Sequence, residues 1–370
     1  MSSLWSQIRK DFLITDKYLY FDHAAGGPVP RPVREAVEQY YREQAEEADF
    51  AWMKWVQRRE EVRQKAARFI GADPSEITFT SSTSQGMNYV AELLASQGTV
   101  LTNTSEFPSS TVPWVWRKAK MIWQEPEKNG VLPLSHLKTI LTPEIKTILT
   151  SFVQYATGFR QDLAKLSAIK ENRFLVVNAT QGFGAFPIDV QEMKIDFLVT
   201  NSYKWLLAGY GGGILYLRKA WLEKFAPQTV GWRSAADPEK MDNRHLELNP
   251  DAMRYELGCP NFPGIFAVGA AIDYLTAIGM DKISKRILEL TDFLIQGLDQ
   301  MGVEVASSRE PAHRSGIVIF KSQDPKTLWK KLMAEGICVS ARGEGIRVAP
   351  HFYNTEEELG RFLKALKRFI

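Results

Sequence analysis

The sequence predicts an α/β fold: a mostly parallel sheet lies between layers of helices, and a smaller α+β domain follows it. Short apolar runs alternate with helix-like segments between about residues 77 and 217. Several of these runs are unbroken, which is typical of strands buried on both faces of a parallel sheet. From about residue 260 long amphipathic segments replace this alternation. We therefore predict a large domain over 1–250, whose N-terminal segment joins the small domain, and a small domain over 251–370.

The predicted elements follow in chain order. Two helices occupy residues 31–70, where Pro32 opens the first and Gly71 ends the second. The large domain then continues with strands at 77–79, 100–102, 147–153, 174–177, 197–200 and 213–217, and with helices at 85–95 and 162–170. The small domain is predicted to contain helices at 265–278, 283–301 and 355–369, and strands at 315–320, 337–339 and 346–349. Thr355, an N-cap residue followed by three glutamates, opens the last helix.

Composition and charge exclude several classes of partner. The chain has 370 residues, of which 45% are hydrophobic and 24% are charged, values typical of a soluble globular protein. A net charge of +3 is too small to predict binding to nucleic acid or to an anionic membrane. No apolar run approaches the length of a membrane span, and the first residues lack the apolar core of a signal peptide.

The cysteines and histidines predict neither disulfides nor a metal site. Cys259 and Cys338 form no CxxC pair, so we expect a reducing, cytoplasmic location. The five histidines show no metal-ligand spacing, and no metal is predicted.

Two polar segments directly follow predicted strands, at the sheet edge where open α/β folds bind ligands. The hydroxyl-rich run at 80–86 opens a helix, which forms an anion site, although such runs are also common N-caps. Lys204 lies in an apolar, aromatic setting before the glycine-rich turn 209–213. Burial there would lower its pKa and make the amine nucleophilic enough for a Schiff base. The alternative is a surface lysine beside a turn.

Three further segments complete the set of candidates. Asn178 and Gln181 end the strand at 174–177, and Phe107 follows the strand at 100–102. Arg347 is the residue type that commonly binds a substrate carboxylate through its two-pronged guanidinium. Taken singly, Phe107 also fits a core aromatic residue, and Arg347 also fits a surface salt bridge.

Together and in this order, the segments from 20–26 to 351–355 resemble the class V aminotransferase family of fold-type I enzymes, which use pyridoxal 5′-phosphate (PLP). That family includes cysteine desulfurases, selenocysteine lyases and C–S lyases. The resemblance implies PLP as cofactor, a seven-stranded type of sheet, a small amino acid as substrate, and a homodimer with shared active sites.

The resemblance also implies a role for each candidate residue. Lys204 would carry PLP as a Schiff base and would then act as general base on the α-proton. Arg347 would hold the substrate carboxylate. The implied cofactor contacts are Thr83, Ser84, Asn201 and Tyr203 at the phosphate, Phe107 stacked on the ring, Asn178 at the ring nitrogen, Gln181 near the phenolic oxygen and Cys259 at the partner subunit's phosphate. His23 and Ala24 would line the substrate pocket.

Three positions depart from the family pattern. Asn178 stands where the family has an aspartate that keeps the ring nitrogen protonated, so we expect a weaker electron sink. Phe107 replaces the histidine of cysteine desulfurases and cannot transfer a proton. The stretch Arg342–Arg347 lacks the cysteine that desulfurases place before the carboxylate clamp. A persulfide-forming desulfurase is therefore disfavoured.

The sequence thus predicts a PLP-dependent enzyme, an aminotransferase or a lyase, that acts at the α-carbon of a small amino acid. Transamination and β-elimination, as in a C–S lyase, both stay open. The alternatives are a cysteine desulfurase-like protein without the catalytic cysteine and a catalytically weak PLP-binding protein. An ordinary nucleotide-binding protein is set aside because the GxGxxG and Walker A patterns are absent.

Overall fold

A computed structural model describes residues 4–127 and 130–370. Its strands are β1 (Leu19–Tyr20), β2 (Ile77–Thr80), β3 (Thr99–Asn103), β4 (Met121–Gln124), β5 (Ile145–Ser151), β6 (Phe174–Asn178), β7 (Phe197–Asn201), β8 (Gly213–Leu217), β9 (Val318–Lys321), β10 (Ile337–Cys338), β11 (Ser340–Arg342) and β12 (Gly345–Val348). Its helices are α1 (Leu4–Ile8), α2 (Arg31–Glu47), α3 (Trp52–Phe69), α4 (Thr83–Leu94), α5 (Pro108–Trp116), α6 (Leu134–Ile140), α7 (Leu163–Ile169), α8 (Lys219–Lys224), α9 (Phe262–Ile278), α10 (Met280–Gln300), α11 (Pro325–Ala334) and α12 (Glu356–Leu366).

A seven-stranded sheet in the order β2-β8-β7-β6-β5-β3-β4 forms the centre of the molecule. The strands from β7 to β4 are parallel to one another, and β8 runs antiparallel to both β2 and β7. Every residue of β3, β6, β7 and β8 is buried, which explains their unbroken apolar runs. The predicted α/β fold with a mostly parallel sheet is confirmed.

Alternate side chains of the sheet enter two different hydrophobic cores. Val176 packs with α4 and α5 on one face, whereas its neighbour Val177 packs with α3 and α9 on the other. This alternation follows from the two-residue period of a strand. Because the side chains occupy the two faces, the ends of the strands are left for polar residues.

A smaller antiparallel sheet, β11-β12-β9, lies against α10, α11 and α12. The N-terminal segment also joins this region, because β1 pairs in parallel with β10 and Asp22 bridges to Ala349. Helix α9, in contrast, packs mainly on α2 and α3 beside the large sheet. The division of the chain near residue 250 stays a prediction.

Several elements of the large sheet and its surroundings were not predicted, among them β4, α5, α6 and α8. Strand β4 is an edge strand that pairs only with β3, and its Trp123 is exposed, so its pattern is not that of a buried strand. Helix α5 contains Pro113, a residue that normally ends a helix. Among the described residues no single helix is long and apolar enough to cross a bilayer; α9 and α10 reach that length and composition only as a pair, bent by 79°.

Candidate active site

A cleft beside Lys204 opens at the carboxyl ends of β5, β6 and β7, with about 490 Å³ of empty space, part of it open to solvent. It is lined by Ser82, Thr83, Ser84, Phe107, Ser109, Ser151, Val153, Tyr155, Asn178, Thr180, Gln181, Asn201, Tyr203 and Lys204. Eight sequence-predicted site residues therefore meet here, from four separate parts of the chain. Four others, His23, Ala24, Arg347 and Cys259, do not line this cleft.

Lys204 lies in a tight turn after β7 that the chain's glycines make possible. The turn is closed by bonds from Ala208 N to Ser202 O (2.8 Å) and from Ser202 Oγ to Gly209 O (2.6 Å). Gly209 has a φ of 72°, a conformation that favours glycine. A Cβ at Gly27 would stand 2.2 Å from the Lys204 carbonyl oxygen, so only glycine allows this approach.

The Lys204 amine is buried and poised for nucleophilic attack. Its side chain is largely shielded, and burial lowers its pKa to about 8, with further lowering by the charges of Arg347 and Arg342. The Nζ atom lies 5.7 Å from the ring centroids of both Phe107 and Tyr203. Near neutral pH a larger share of this amine is therefore uncharged than for an exposed lysine, which favours attack on an aldehyde.

The hydroxyl-rich turn forms the N-terminus of α4 and leaves donors free for an anion. Ser82 caps the helix by accepting from Gln85 N at 3.2 Å. No partner is found in the described chain for the N–H groups of Thr83 and Ser84, as expected for a first helical turn. Asn201 lines the cleft beside them, and its side-chain amide can donate through Nδ2. These groups suit a phosphate, which a helix N-terminus attracts.

The amide of Asn178 is held in one orientation by two neighbours. Its Oδ1 accepts from Thr180 N at 3.0 Å, and its Nδ2 donates to the Ser110 hydroxyl at 2.8 Å. Because a backbone N–H can only donate, the first bond identifies the oxygen. One N–H of the amide is left for a ligand, and the side chain brings no negative charge to the cleft.

Glu106 is a buried carboxylate that contacts the cleft residue Ser151, and its oxygens accept hydrogen bonds from the protein itself. It accepts from the backbone N–H and the hydroxyl of Ser151 (2.5 and 2.6 Å) and from Gln154 Nε2 (2.7 Å). A further bond comes from Asn103 Nδ2 at 3.2 Å. Glu106 therefore ties the ends of β3 and β5 together and does not replace the aspartate that is missing at Asn178.

An aromatic wall and an amide form the other sides of the cleft. The Phe107 ring is 44% exposed and meets the Tyr155 ring edge to face at 5.0 Å between centroids. Gln181 donates through Nε2 to Ala24 O (2.9 Å) and accepts through Oε1 from Trp205 Nε1 (2.8 Å). Ala24 thus contacts the site through its backbone, by orienting Gln181.

Arg347 lies behind the cleft and is paired with the protein's own carboxylate. The side chain is 2% exposed, and its Nη2 contacts Asp22 Oδ1 at 3.3 Å. Its Nη1 reaches Tyr155 O at 3.5 Å, while its buried Nε has no partner. Asp22 is held from the other side by the Ser340 hydroxyl at 2.7 Å. A substrate carboxylate would have to displace Asp22 or share the guanidinium with it.

His23 belongs to a buried network rather than to the surface of the cleft. Its Nδ1 donates to Ala349 O at 2.8 Å and its Nε2 accepts from Tyr353 Oη at 2.7 Å. The ring of His351 is also buried, with Nδ1 accepting from Phe352 N and Nε2 donating to Trp205 O. Burial lowers the pKa of His23 to about 3 and that of His351 well below its usual value. Both rings are therefore neutral and rigidly held.

Neither cysteine lines the cleft. Cys259 is exposed and lines a separate hollow with Ser81 and Gln85. Cys338 lies in a pocket with Asp22 and Arg342, and burial, followed by the charge of Asp22, raises the pKa of its thiol. In the chain between 4 and 370, apart from 128 and 129, no three His, Cys, Asp or Glu side chains are placed to hold a metal.

Sequence reasoning missed three residues of this region. Tyr155 follows the predicted strand 147–153, so the rule that ligands bind at strand ends already pointed to it. Asp22 precedes His23 in a segment that was singled out. Ser110 gave no signal of its own, because its contact with Asn178 depends on how α5 packs against β6.

Comparison with known proteins places this site in a family. The profile described as "Aminotransferase class-V" matches residues 19–362. The chain is 28% identical to a probable cysteine desulfurase of Pyrococcus abyssi (98% of this chain, 97% of the relative) and 27% identical to the uncharacterized aminotransferase YcbU of Bacillus subtilis (97% and 96%). An apo structure of a cysteine desulfurase from Thermococcus onnurineus NA1 superposes with a TM-score of 0.90, at 26% identity, covering 100% of this chain and 99% of that one.

Proposed function

This chain belongs to the class-V aminotransferase family of PLP-dependent enzymes, and we propose that it carries PLP on Lys204 and releases a β-substituent from a small amino acid. The observation that carries the proposal is the buried Lys204 amine, whose pKa is lowered to about 8, at the mouth of a cleft formed by strand ends. The proposed reaction is a β-elimination of the C–S lyase type.

The residues present fit this cofactor. The free N–H groups at Thr83 and Ser84 and the amide Nδ2 of Asn201 would hold the phosphate. The exposed face of Phe107 would stack on the ring, and the free N–H of Asn178 would face the ring nitrogen. PLP, when bound, supplies an electron sink for negative charge that develops at the α-carbon.

The remaining chemistry is that of the protein's own side chains. Lys204 Nζ would take the α-proton, because it is buried and its pKa is lowered. Arg347 would bind the α-carboxylate in place of Asp22. Asn178 brings an amide rather than a carboxylate, so the site stabilises negative charge at the α-carbon less strongly. A substrate with a β-leaving group places the least demand on that stabilisation, which favours elimination over transamination.

Cysteine desulfurase is the second candidate, favoured by the similarity to proteins named as probable desulfurases. That reaction needs a cysteine nucleophile in the cleft. Cys338 lies in another pocket with a raised thiol pKa, and Cys259 is exposed in a third hollow. Neither arrangement supplies a thiolate beside Lys204.

We also propose a homodimer in which Cys259 approaches the phosphate site of the partner. Within one chain Cys259 shares a hollow with Ser81 and Gln85, at the outer side of the turn that contains Thr83. Light scattering coupled to gel filtration gives the mass of the particle in solution. A mass of one chain, 42.0 kDa, with PLP fully bound would contradict this proposal.

Visible absorption of the purified protein, wild type against Lys204→Ala, tests the cofactor and its anchor together. The wild type should show the long-wavelength band of PLP joined to an amine, and borohydride should fix the cofactor on Lys204. The variant should lack both properties. A wild type that binds no PLP overturns the proposed function. Release of 2-oxo acid with ammonium but without a 2-oxo acid acceptor identifies elimination; dependence on an acceptor identifies transamination.

A further inference from the structure

We propose that Tyr155 donates the proton to the departing β-substituent, a role that Phe107 cannot fill. The inference deepens the elimination proposed above and rests on it. It assigns a catalytic residue that the motifs of the sequence did not indicate.

Tyr155 contacts both the aromatic wall of the cleft and the carboxylate clamp. It lines the cleft that contains Lys204, and its ring meets the Phe107 ring edge to face, with 5.0 Å between the centroids. Its backbone oxygen contacts Arg347 Nη1 at 3.5 Å. An amino acid held by Arg347 with its α-carbon at Lys204 therefore has Tyr155 beside it.

The Tyr155 hydroxyl is free to act. In the part of the chain that the structure describes, no hydrogen-bond partner is found for it. The side chain is only half-buried, so solvent can restore the proton after each turnover. The backbone at this position is fixed, because Gln154 N donates to Phe159 O and Gln154 Nε2 donates to Glu106.

Apart from Lys204, which takes the α-proton, the other proton donors in the cleft are absent, engaged or weaker acids. The lining residues, all within the described chain, include no His, Cys, Asp or Glu. The Ser151 hydroxyl donates to Glu106, and Thr83 and Thr180 bond to each other at 2.7 Å. The second phenol, Tyr203, stacks on Tyr210 at 4.1 Å on the side proposed for the phosphate. Phenols are stronger acids than the remaining aliphatic hydroxyls.

The step balances without a further reactant. Lys204 takes the α-proton, the Cβ–S bond breaks with its electron pair on sulfur, and the Tyr155 Oη–H bond breaks to give a neutral thiol. Solvent then takes the proton from Lys204 and returns one to the Tyr155 phenolate. Hydrolysis of the unsaturated product yields a 2-oxo acid and ammonium, so no oxidant or reductant takes part.

Leaving groups that differ in their need for a proton test this role. S-methyl-L-cysteine releases a basic thiolate, whereas β-chloro-L-alanine releases chloride, which needs no proton. We expect Tyr155→Phe to lower kcat/KM for S-methyl-L-cysteine by about 10²- to 10⁴-fold, the usual contribution of a general acid, and that for β-chloro-L-alanine by less than about 3-fold. The matched control is Tyr203→Phe. It should lower kcat/KM equally for both substrates, because it weakens cofactor binding.

The outcomes separate this inference from the proposed function. Unchanged PLP absorption in Tyr155→Phe, with loss only for S-methyl-L-cysteine, supports it. Equal loss with both substrates, or a loss selective for S-methyl-L-cysteine in Tyr203→Phe instead, overturns it. A wild type that binds PLP and eliminates only β-chloro-L-alanine also overturns it, while the proposed cofactor and anchor stand. A wild type without PLP overturns both.

Discussion

The polar groups that line the cleft and those behind it differ in how far they are already paired. On the open side, formed by α4 and β7, the N–H groups of Thr83 and Ser84 and the Nδ2 of Asn201 are available to a ligand. On the paired side, formed behind the cleft by β12 and the N-terminal segment, Arg347 is paired with Asp22 and His23 is fully bonded. The first side is built to receive an anion directly. The second must give up an internal contact before it binds one.

Among the changes that compare the two sides, removal of Arg347 should lower kcat/KM most. It tests the paired side directly. A charge-assisted bond to a carboxylate contributes about 1.5–3 kcal/mol, so Arg347→Ala should lower kcat/KM by roughly 100-fold. PLP absorption should persist, because Thr83 and Lys204 lie on the other side. Arg347→Lys keeps the charge without the two-pronged geometry. Its kcat/KM should lie between those of the wild type and Arg347→Ala. Steady-state kinetics with L-amino acids measure the effect, and a loss of PLP from Arg347→Ala would show that the two sides are not independent.

The buried histidines should make the folded protein less stable in acid. Their pKa values in the folded protein are lowered, so the unfolded chain binds more protons below about pH 6.5, and stability falls as the pH falls. His23, whose pKa is lowered to about 3, should cost about 2 kcal/mol of unfolding free energy between pH 8 and pH 5, and His351 acts in the same direction. Urea titrations at both pH values measure this. His351→Asn should reduce the difference, while His136→Gln, at an exposed position, should leave it unchanged.

Asn178→Asp should make bound PLP a stronger electron sink. A carboxylate there favours a protonated ring nitrogen, so exchange of the α-proton with solvent deuterium should quicken by about 10-fold. Proton NMR of a substrate in heavy water follows this exchange. Asn178→Ala is the comparison that removes the amide without adding charge. A rate for Asn178→Asp equal to or below that of the wild type would contradict the assigned role.

Asp22→Asn should change the kinetics least. It measures how strongly Asp22 competes with a substrate for Arg347. The ion pair with Arg347 spans 3.3 Å and Asp22 is partly exposed, so its loss is worth about 0.2–1 kcal/mol. We expect KM to fall by about 2- to 5-fold with kcat little changed, because the substrate no longer competes with Asp22. A rise in KM would instead mean that Asp22 orients Arg347 for the substrate.

The elements that the sequence located best were those with a single environment along their length. Strands β6 and β7 are buried throughout, and their predicted limits differ from the observed ones by one residue. Strand β4, half-exposed at the edge, and α5, with Pro113 inside, were missed because their local pattern conflicts with their structure. The eight predicted residues that line the cleft lie at strand ends, and the sequence could place them at one edge.

The sequence by itself determined the α/β fold and eight of the residues that line the cleft, because strand periodicity and the residues after each strand are local properties. Only the tertiary structure decided which groups are free and which are paired. The pairing of Arg347 with Asp22 and of Asn178 with Ser110 joins residues 325 and 68 positions apart. The Tyr155 phenol, for which no partner is found among the described residues, likewise joins the other cleft residues only because five segments of the chain meet there. Whether a polar side chain binds a ligand or the protein depends on its neighbours in space, and local sequence does not encode them.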